Sequence, residues 1–133
     1  MANRNEIEIV KGIYDALNRN DISAIMEFFD PQAVRIEWEG LPSEGTFRGL
    51  SELRDHFIKG RSTWAEGGCV PERLTVEGNK VVALSHVHVR LNNKTEWIDG
   101  YVGDVFVFRN GKVTEFRSFM TEDEALKWAK ANK

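Results

Sequence analysis

Asp104 is the residue whose type and surroundings most suggest chemistry. Alternation along an extended chain places Val102, Phe106 and Phe108 on the same face as this acid. Aromatic neighbours would exclude water from the carboxyl group, and desolvation favours the protonated acid. A carboxyl group that can hold or release a proton near neutral pH can serve as a general acid or base beside a carbonyl group.

A purely structural role for Asp104 is the alternative. The dipeptide Asn110-Gly111 is typical of a two-residue hairpin turn, since both residues tolerate a positive φ. Such a turn would place Asp104 opposite Arg117 on the next strand. On a sheet surface this would be an ordinary cross-strand ion pair. Inside a pocket, Arg117 would also anchor a substrate oxygen.

His86 and His88 lie two residues apart, so they share one face of a strand. A single imidazole suits proton transfer near neutral pH. A metal site would need further ligands, and the remaining histidine, His56, lies on a distant helix, so we predict no metal. A short turn after Leu91 would put both histidines on the face opposite Asp104. A bulge at Gly100 or Gly103 would bring them to its side.

Four further residues have both a structural and a functional interpretation. Tyr14 lies on the apolar stripe of the first helix, either as a core residue or as a hydroxyl donor in a cavity. Trp38 is either core or the wall of a cavity for a flat apolar ligand. Glu37 and Glu39 alternate with Trp38, and they face solvent if Trp38 faces inward.

The elements that must position these residues follow from apolar periodicity and turn signals. Helical spacing begins after Asn3, Asp21, Ser51 and Thr121, and the segment Thr121-Glu122-Asp123-Glu124 is a capping box at the start of the last helix. Extended runs are predicted at Ala33–Glu39, Thr46–Arg48, Arg73–Glu77, Lys80–Leu91, Thr95–Phe108 and Lys112–Met120. Short turns make the last four strands antiparallel neighbours. We therefore predict an α+β fold in which helices cover one face of a curled, mostly antiparallel sheet, with a conical interior for a small molecule.

The amino-acid composition indicates an ordinary globular domain and limits the partners that we expect. The 133 residues are 41% hydrophobic and 29% charged, with a net charge of −3. This is typical of one globular domain and does not indicate a nucleic-acid partner. Cys69 is the sole cysteine, which excludes an internal disulfide. No apolar run is long enough for a membrane span or a signal peptide, so we expect a cytoplasmic domain over residues 1–133 without a membrane partner.

The chain resembles the SnoaL-like polyketide cyclases of the nuclear transport factor 2-like superfamily, which includes ketosteroid isomerase. The resemblance covers most of the chain and rests on four segments, 13–21 (IYDALNRND), 28–31 (FFDP), 47–49 (FRG) and 104–113 (DVFVFRNGKV). It implies a cone-shaped sheet covered by three helices from the N-terminal half, with a C-terminal helix. It also implies a homodimer formed through the outer sheet face, an apolar cavity, and acid–base chemistry without a cofactor.

The resemblance also suggests roles for individual residues. Asp104 matches the family's essential carboxylate, and Tyr14 falls where the isomerase has its oxyanion-hole tyrosine. The position of the isomerase's first-strand base matches Glu37 when counted from Ala33, and falls near Glu39 or Gly40 when counted back from Gly49. No Asp-Pro pair stands there, which favours a cyclase-like enzyme or a non-catalytic binding module. The predicted catalytic residues are Asp104, His86 and Tyr14, and the predicted substrate contacts are Trp38, Glu39, His88, Phe106 and Arg117.

Overall fold

The computed structural model describes residues 4–37 and 45–132. These residues form four helices and six strands in the order α1, α2, β1, β2, α3, β3, β4, β5, β6, α4. The bounds are α1 Arg4–Asn18, α2 Ile22–Glu27, β1 Phe29–Glu37, β2 Gly45–Arg48, α3 Gly49–Arg61, β3 Trp64–Glu77, β4 Lys80–Leu91, β5 Trp97–Arg109, β6 Lys112–Phe119 and α4 Glu122–Ala131.

The strands form one curved sheet in the order β2-β1-β6-β5-β4-β3. All neighbouring pairs are antiparallel except β1 and β6, which are parallel. The β5–β6 hairpin turns through Asn110 and Gly111, whose φ angles of 52° and 78° confirm the predicted turn. The predicted α+β class, with its mostly antiparallel curved sheet and C-terminal helix, is confirmed.

Both faces of the sheet bury apolar side chains. The inner face packs on α1, α2 and α3 through a large cluster that includes Ile13, Val81 and Phe106. The outer face is covered in part by α4, where Val82 and Val105 meet Ala125 and Ala129. The side chain of Thr121 caps α4 by accepting a hydrogen bond from the Glu124 backbone N–H at 3.1 Å, as the sequence predicts.

One expectation about the strands is wrong. Strand β3 begins at Trp64 rather than at Arg73, because Gly67, Gly68 and Pro71 are tolerated in an edge strand. A Cβ at Gly67 would lie 2.0 Å from the His88 carbonyl oxygen, so the close approach of β3 to β4 requires glycine there.

The β4–β5 pairing runs without a register shift from Lys80–Val107 to Arg90–Trp97. Of the two registers that the sequence left open, the structure therefore has the one without a bulge at Gly100 or Gly103. A Cβ at Gly103 would lie 2.4 Å from the Thr121 carbonyl oxygen, so glycine at this position allows α4 to approach the sheet.

In the described part of the chain, no helix combines the length and apolar character needed to cross a bilayer.

Candidate active site

Asp104 is buried on the inner face of β5, with 4% of its surface exposed. Three hydroxyl groups converge on its carboxylate. The Tyr14 hydroxyl donates to Oδ2 at 2.5 Å, the Ser85 hydroxyl approaches the same oxygen at 3.0 Å, and the Ser118 hydroxyl donates to Oδ1 at 2.6 Å. The Tyr14 and Ser85 hydroxyl oxygens are themselves 2.5 Å apart. The predicted interior position of Asp104 is therefore present in the structure.

The strand register explains why a serine faces Asp104. A shift at residues 107–108 of the β5–β6 hairpin pairs Asp104 with Ser118. The prediction that Asp104 lies opposite Arg117 is wrong for this reason. Arg117 instead pairs with Val105 and faces the outer side of the sheet, where its guanidinium carbon lies 4.4 Å from the centre of the Trp128 ring.

Arg35 of β1 extends the network beyond Ser118. Its Nη2 donates to the Ser118 hydroxyl at 2.9 Å, and Nη1 donates to the carbonyl oxygens of Ile36 and Phe116 at 3.1 Å each. Nη2 also donates to the carboxylate of Glu37. The guanidinium therefore lies between two carboxylates, bonded directly to Glu37 and reaching Asp104 through one hydroxyl.

The guanidinium of Arg35 is buried, with 5% of the residue exposed, and its carbon lies 3.8 Å from the centre of the Phe116 ring. Burial lowers the pKa of Arg35 to about 10, and the nearby charge of Asp104 opposes this shift. The group still carries its charge at neutral pH. Its Nε–H has no hydrogen-bond partner among the described residues, and an unmet buried donor costs about 1–3 kcal/mol.

Glu37 and His56 form the other end of the network. The His56 Nε2 lies 3.7 Å from a carboxylate oxygen of Glu37, and the side chains of both residues are 10% exposed. The His56 ring also stacks on Phe47 with a centroid separation of 4.1 Å. Burial, together with the positive charges of Arg35 and Lys59, lowers the pKa of His56 to about 4. With its pKa at about 4, His56 is a neutral imidazole at neutral pH.

Two other titratable groups close to Asp104 are held neutral. Burial, followed by the charge of Asp104, raises the pKa of Tyr14 well above its ordinary value. Tyr14 is therefore a hydroxyl donor and not a phenolate. Burial and Asp104 also raise the pKa of Cys69 to about 12, so its thiol is not an activated nucleophile.

Aromatic rings surround the polar groups. Phe106 is fully buried, stacks on Phe116 at 4.4 Å between centroids and meets the Tyr14 ring edge-on at 5.9 Å. These rings exclude water from the carboxylate and the guanidinium, and electrostatic interactions strengthen when water is excluded. A carboxylate, a neutral phenol and a buried cation in one dry region can together move a proton and stabilise a developing oxyanion.

His86 and His88 lie on the outer face of the sheet and are not brought together with Asp104. His88 pairs with Asp99 and His86 with Tyr101, so the histidines share a face with these residues and with Trp97. The continuous β4–β5 register is the reason, since the inner positions of β4 are taken by residues such as Ser85 and Val87. Their predicted catalytic and substrate-binding roles have no support in this arrangement.

The outer-face histidines form a polar cluster of their own. The His86 Nε2 lies 2.6 Å from Asp99 and its Nδ1 lies 3.1 Å from Glu72. The hydrogen bond to Asp99 raises the pKa of His86. The His86 ring stacks on Tyr101, and His88 stacks on Trp97 at 4.5 Å. Within residues 4–37 and 45–132, no group of His, Cys, Asp and Glu side chains is arranged to hold a metal ion.

Of the remaining predicted substrate contacts, one lies in the interior and two lie outside the described residues. Phe106 lies beside Tyr14 in the interior, where its substrate-contact role stays a prediction. Trp38 and Glu39 fall outside the described residues. Four members of the network were not selected from the sequence, namely Arg35, His56, Ser85 and Ser118.

A sequence signal existed for one of these four. Ser85 interrupts the inner face of β4 just as Asp104 interrupts β5, since Val81, Ala83 and Val87 share its side. Arg35 could not be selected from the pattern of β1. Its neighbours Val34 and Ile36 are more apolar, so alternation predicts that their face is buried and that Arg35 faces solvent, whereas the structure buries Arg35. Ser118 depends on the register shift in the β5–β6 hairpin, which no local pattern shows.

Comparison with known proteins identifies the family. The model of the SnoaL-like domain matches residues 10–116, and the chain belongs to this family. No curated protein sequence matches the chain significantly.

Several solved structures have the same fold as this chain. A nuclear transport factor 2-like protein of unknown function from Burkholderia pseudomallei superposes with a TM-score of 0.80 at 21% identity, covering 96% of this chain and 97% of that one. The protein TerC, co-crystallised with polyporic acid, has a TM-score of 0.78 at 17% identity, covering 94% and 98%. A putative SnoaL-like polyketide cyclase from Jannaschia sp. CCS1 has a TM-score of 0.76 at 18% identity, covering 100% and 99%. At these identities the likeness establishes the fold alone.

Proposed function

We propose that this protein is an acid–base enzyme acting on a small apolar carbonyl compound held between the sheet and helices α1 to α3. The observation that carries the proposal is the buried contact of 2.5 Å between the Tyr14 hydroxyl and the Asp104 carboxylate, close to the Arg35 guanidinium. A structural ion pair alone would not require a phenol and two serine hydroxyls on the same carboxylate. The family, which includes proteins described as polyketide cyclases, is consistent with such chemistry.

In the proposed reaction, Asp104 accepts the proton from a carbon next to the substrate carbonyl. The C–H bonding electrons form the enolate double bond, and negative charge develops on the carbonyl oxygen. The Arg35 Nε–H donates a hydrogen bond to that oxygen, and the Tyr14 hydroxyl does so once its proton turns from Asp104 to the substrate. Preorganised donors lower the barrier most where such charge develops. Asp104 then returns the proton to a carbon of the substrate. Alternatively, the enolate carbon bonds to a second carbonyl carbon of the same molecule, the π electrons of that carbonyl move to its oxygen, and Asp104 gives its proton to the resulting alkoxide. Proton transfer of this kind calls on no cofactor.

Exchange of α-protons for deuterium tests the proposal without knowledge of the natural substrate. The probes are 2-acetylnaphthalene, acetophenone and 2-tetralone in D2O, followed by proton NMR. We expect the wild-type protein to accelerate exchange of at least one ketone over buffer, and Asp104→Asn to lower the enzymatic rate by about 10²-fold or more. Asp99→Asn, which alters an exposed carboxylate on the outer face, is the matched control and should retain full activity.

A non-catalytic binding module of the same fold is the second candidate. The observation that favours it is the engagement of both Asp104 oxygens by protein hydroxyls, which by itself would make the network a structural support. If no ketone exchanges faster than in buffer, or if Asp104→Asn exchanges as fast as wild type, the enzyme proposal is overturned. Ligand binding without exchange would then support the module.

We also propose that the protein is a homodimer formed through the outer sheet face beyond α4. Trp97 and Tyr101 are exposed on this face. His86 and Asp99 beside them form a hydrogen-bonded polar pair that a second copy, related by a two-fold axis, can complement. Tyr101→Glu should shift the mass measured by sedimentation equilibrium from dimer to monomer. Ile58→Glu, at an exposed apolar residue of α3, should leave the dimer intact.

A further inference from the structure

We propose that Arg35 and Glu37 set the charge specificity of the interior: Arg35 anchors the oxygen of a neutral ligand, and the two carboxylates disfavour ligands that bear a carboxylate. This inference rests on the site of the proposed function and concerns which molecules it admits. It is carried by the unmet donor on Arg35 and by the charges of the buried network.

The anchor is the Nε–H of Arg35. The other nitrogens of the guanidinium donate to Ser118, Glu37 and the carbonyl oxygens of Ile36 and Phe116. These bonds and the Phe116 ring at 3.8 Å fix the plane of the group. Nε is buried, and among the described residues it has no acceptor. A buried donor held rigidly without a partner favours any ligand that supplies an acceptor oxygen.

The charges of the buried network decide which ligand oxygen the Arg35 donor prefers. At neutral pH the network has one cation, Arg35, against the carboxylates of Glu37 and Asp104. The other titratable members contribute no charge, since burial and the neighbouring cations lower the pKa of His56 to about 4 and the pKa of Tyr14 is raised. A ligand carboxylate would be a third anion sharing one guanidinium in a region that excludes water. A ketone or enol oxygen accepts the same hydrogen bond without this repulsion.

Binding of two probes of equal size tests the inference. The neutral probe is 2-acetylnaphthalene and the anionic probe is 2-naphthoate, each titrated at pH 7.5 with isothermal titration calorimetry. We expect the wild-type protein to bind the ketone at least tenfold more tightly. Glu37→Gln removes one negative charge while keeping a side chain that can bond to Arg35, and should reduce this preference at least fivefold. Glu8→Gln, at an exposed position of α1, should leave it unchanged.

A spectroscopic measurement tests the anchor itself. The carbonyl stretch of 2-acetylnaphthalene labelled with ¹³C at the carbonyl should move to lower frequency in the wild-type complex than in Arg35→Lys, whose folding is checked by circular dichroism. Three results would overturn the inference: no binding of the ketone up to its solubility limit, equal or tighter binding of the naphthoate, and a preference unaffected by Glu37→Gln. Selective binding without α-proton exchange would instead leave this inference standing and overturn only the proposed catalysis.

Discussion

The acid sensitivity of the protein should depend on His56. In the unfolded chain this imidazole binds a proton below pH 6.5, whereas burial and the charges of Arg35 and Lys59 delay protonation in the folded protein until about pH 4. Between these values the unfolded state binds more protons, so the free energy of unfolding falls as the pH is lowered. One pKa unit corresponds to about 1.4 kcal/mol, so the free energy of unfolding falls by about 2 to 3 kcal/mol by pH 4.5.

Urea unfolding at pH 7.5 and pH 4.5 measures this loss, with His56→Gln as the matched variant. Other groups also titrate over the range, and the comparison of the two proteins removes their shared contribution. Wild type should lose about 2 to 3 kcal/mol more than His56→Gln on acidification. NMR of the His56 ring should show no protonation above pH 5. Equal losses for the two proteins would refute the assignment of His56 as a buried neutral imidazole.

Three further predictions concern the framework around the site. Gly103→Ala should destabilise the protein by about 1–3 kcal/mol in urea unfolding, because its Cβ would strike the backbone of Thr121; unchanged stability would show that α4 is free to move. Thr121→Ala should cost about 1 kcal/mol through loss of the α4 cap, and Thr121→Ser should recover most of it. His86 should titrate by NMR above the usual imidazole pKa, and Asp99→Asn should lower that pKa; an unchanged pKa would contradict the hydrogen bond between them.

Much of the fold follows from local patterns. The periodicity of α1, the Asn110-Gly111 turn and the Thr121 cap each predict the element that the structure shows, because each depends on residues close in sequence. The start of β3 was missed because Gly67 and Gly68 are usually turn residues. An edge strand tolerates them, and only the pairing with β4 reveals this.

The site was less predictable because it depends on contacts between distant strands. Asp104 and Tyr14 were identified, and the structure brings them together. Arg35 lies in a strand whose alternation is clear, but alternation does not say which face is buried. One register shift in the β5–β6 pairing decides whether Ser118 or Arg117 lies beside Asp104. A shift of one residue in a strand moves each of its side chains to the opposite face of the sheet.

The most direct test of the central claim is a crystal structure of the complex with 2-acetylnaphthalene. We predict that the ketone oxygen lies within hydrogen-bond distance of Tyr14 Oη or Arg35 Nε, with the methyl carbon of the ketone beside the Asp104 carboxylate. A ketone bound elsewhere, with the bonds from Tyr14, Ser85 and Ser118 to Asp104 unchanged, would contradict the claim that this buried network is the site of chemistry.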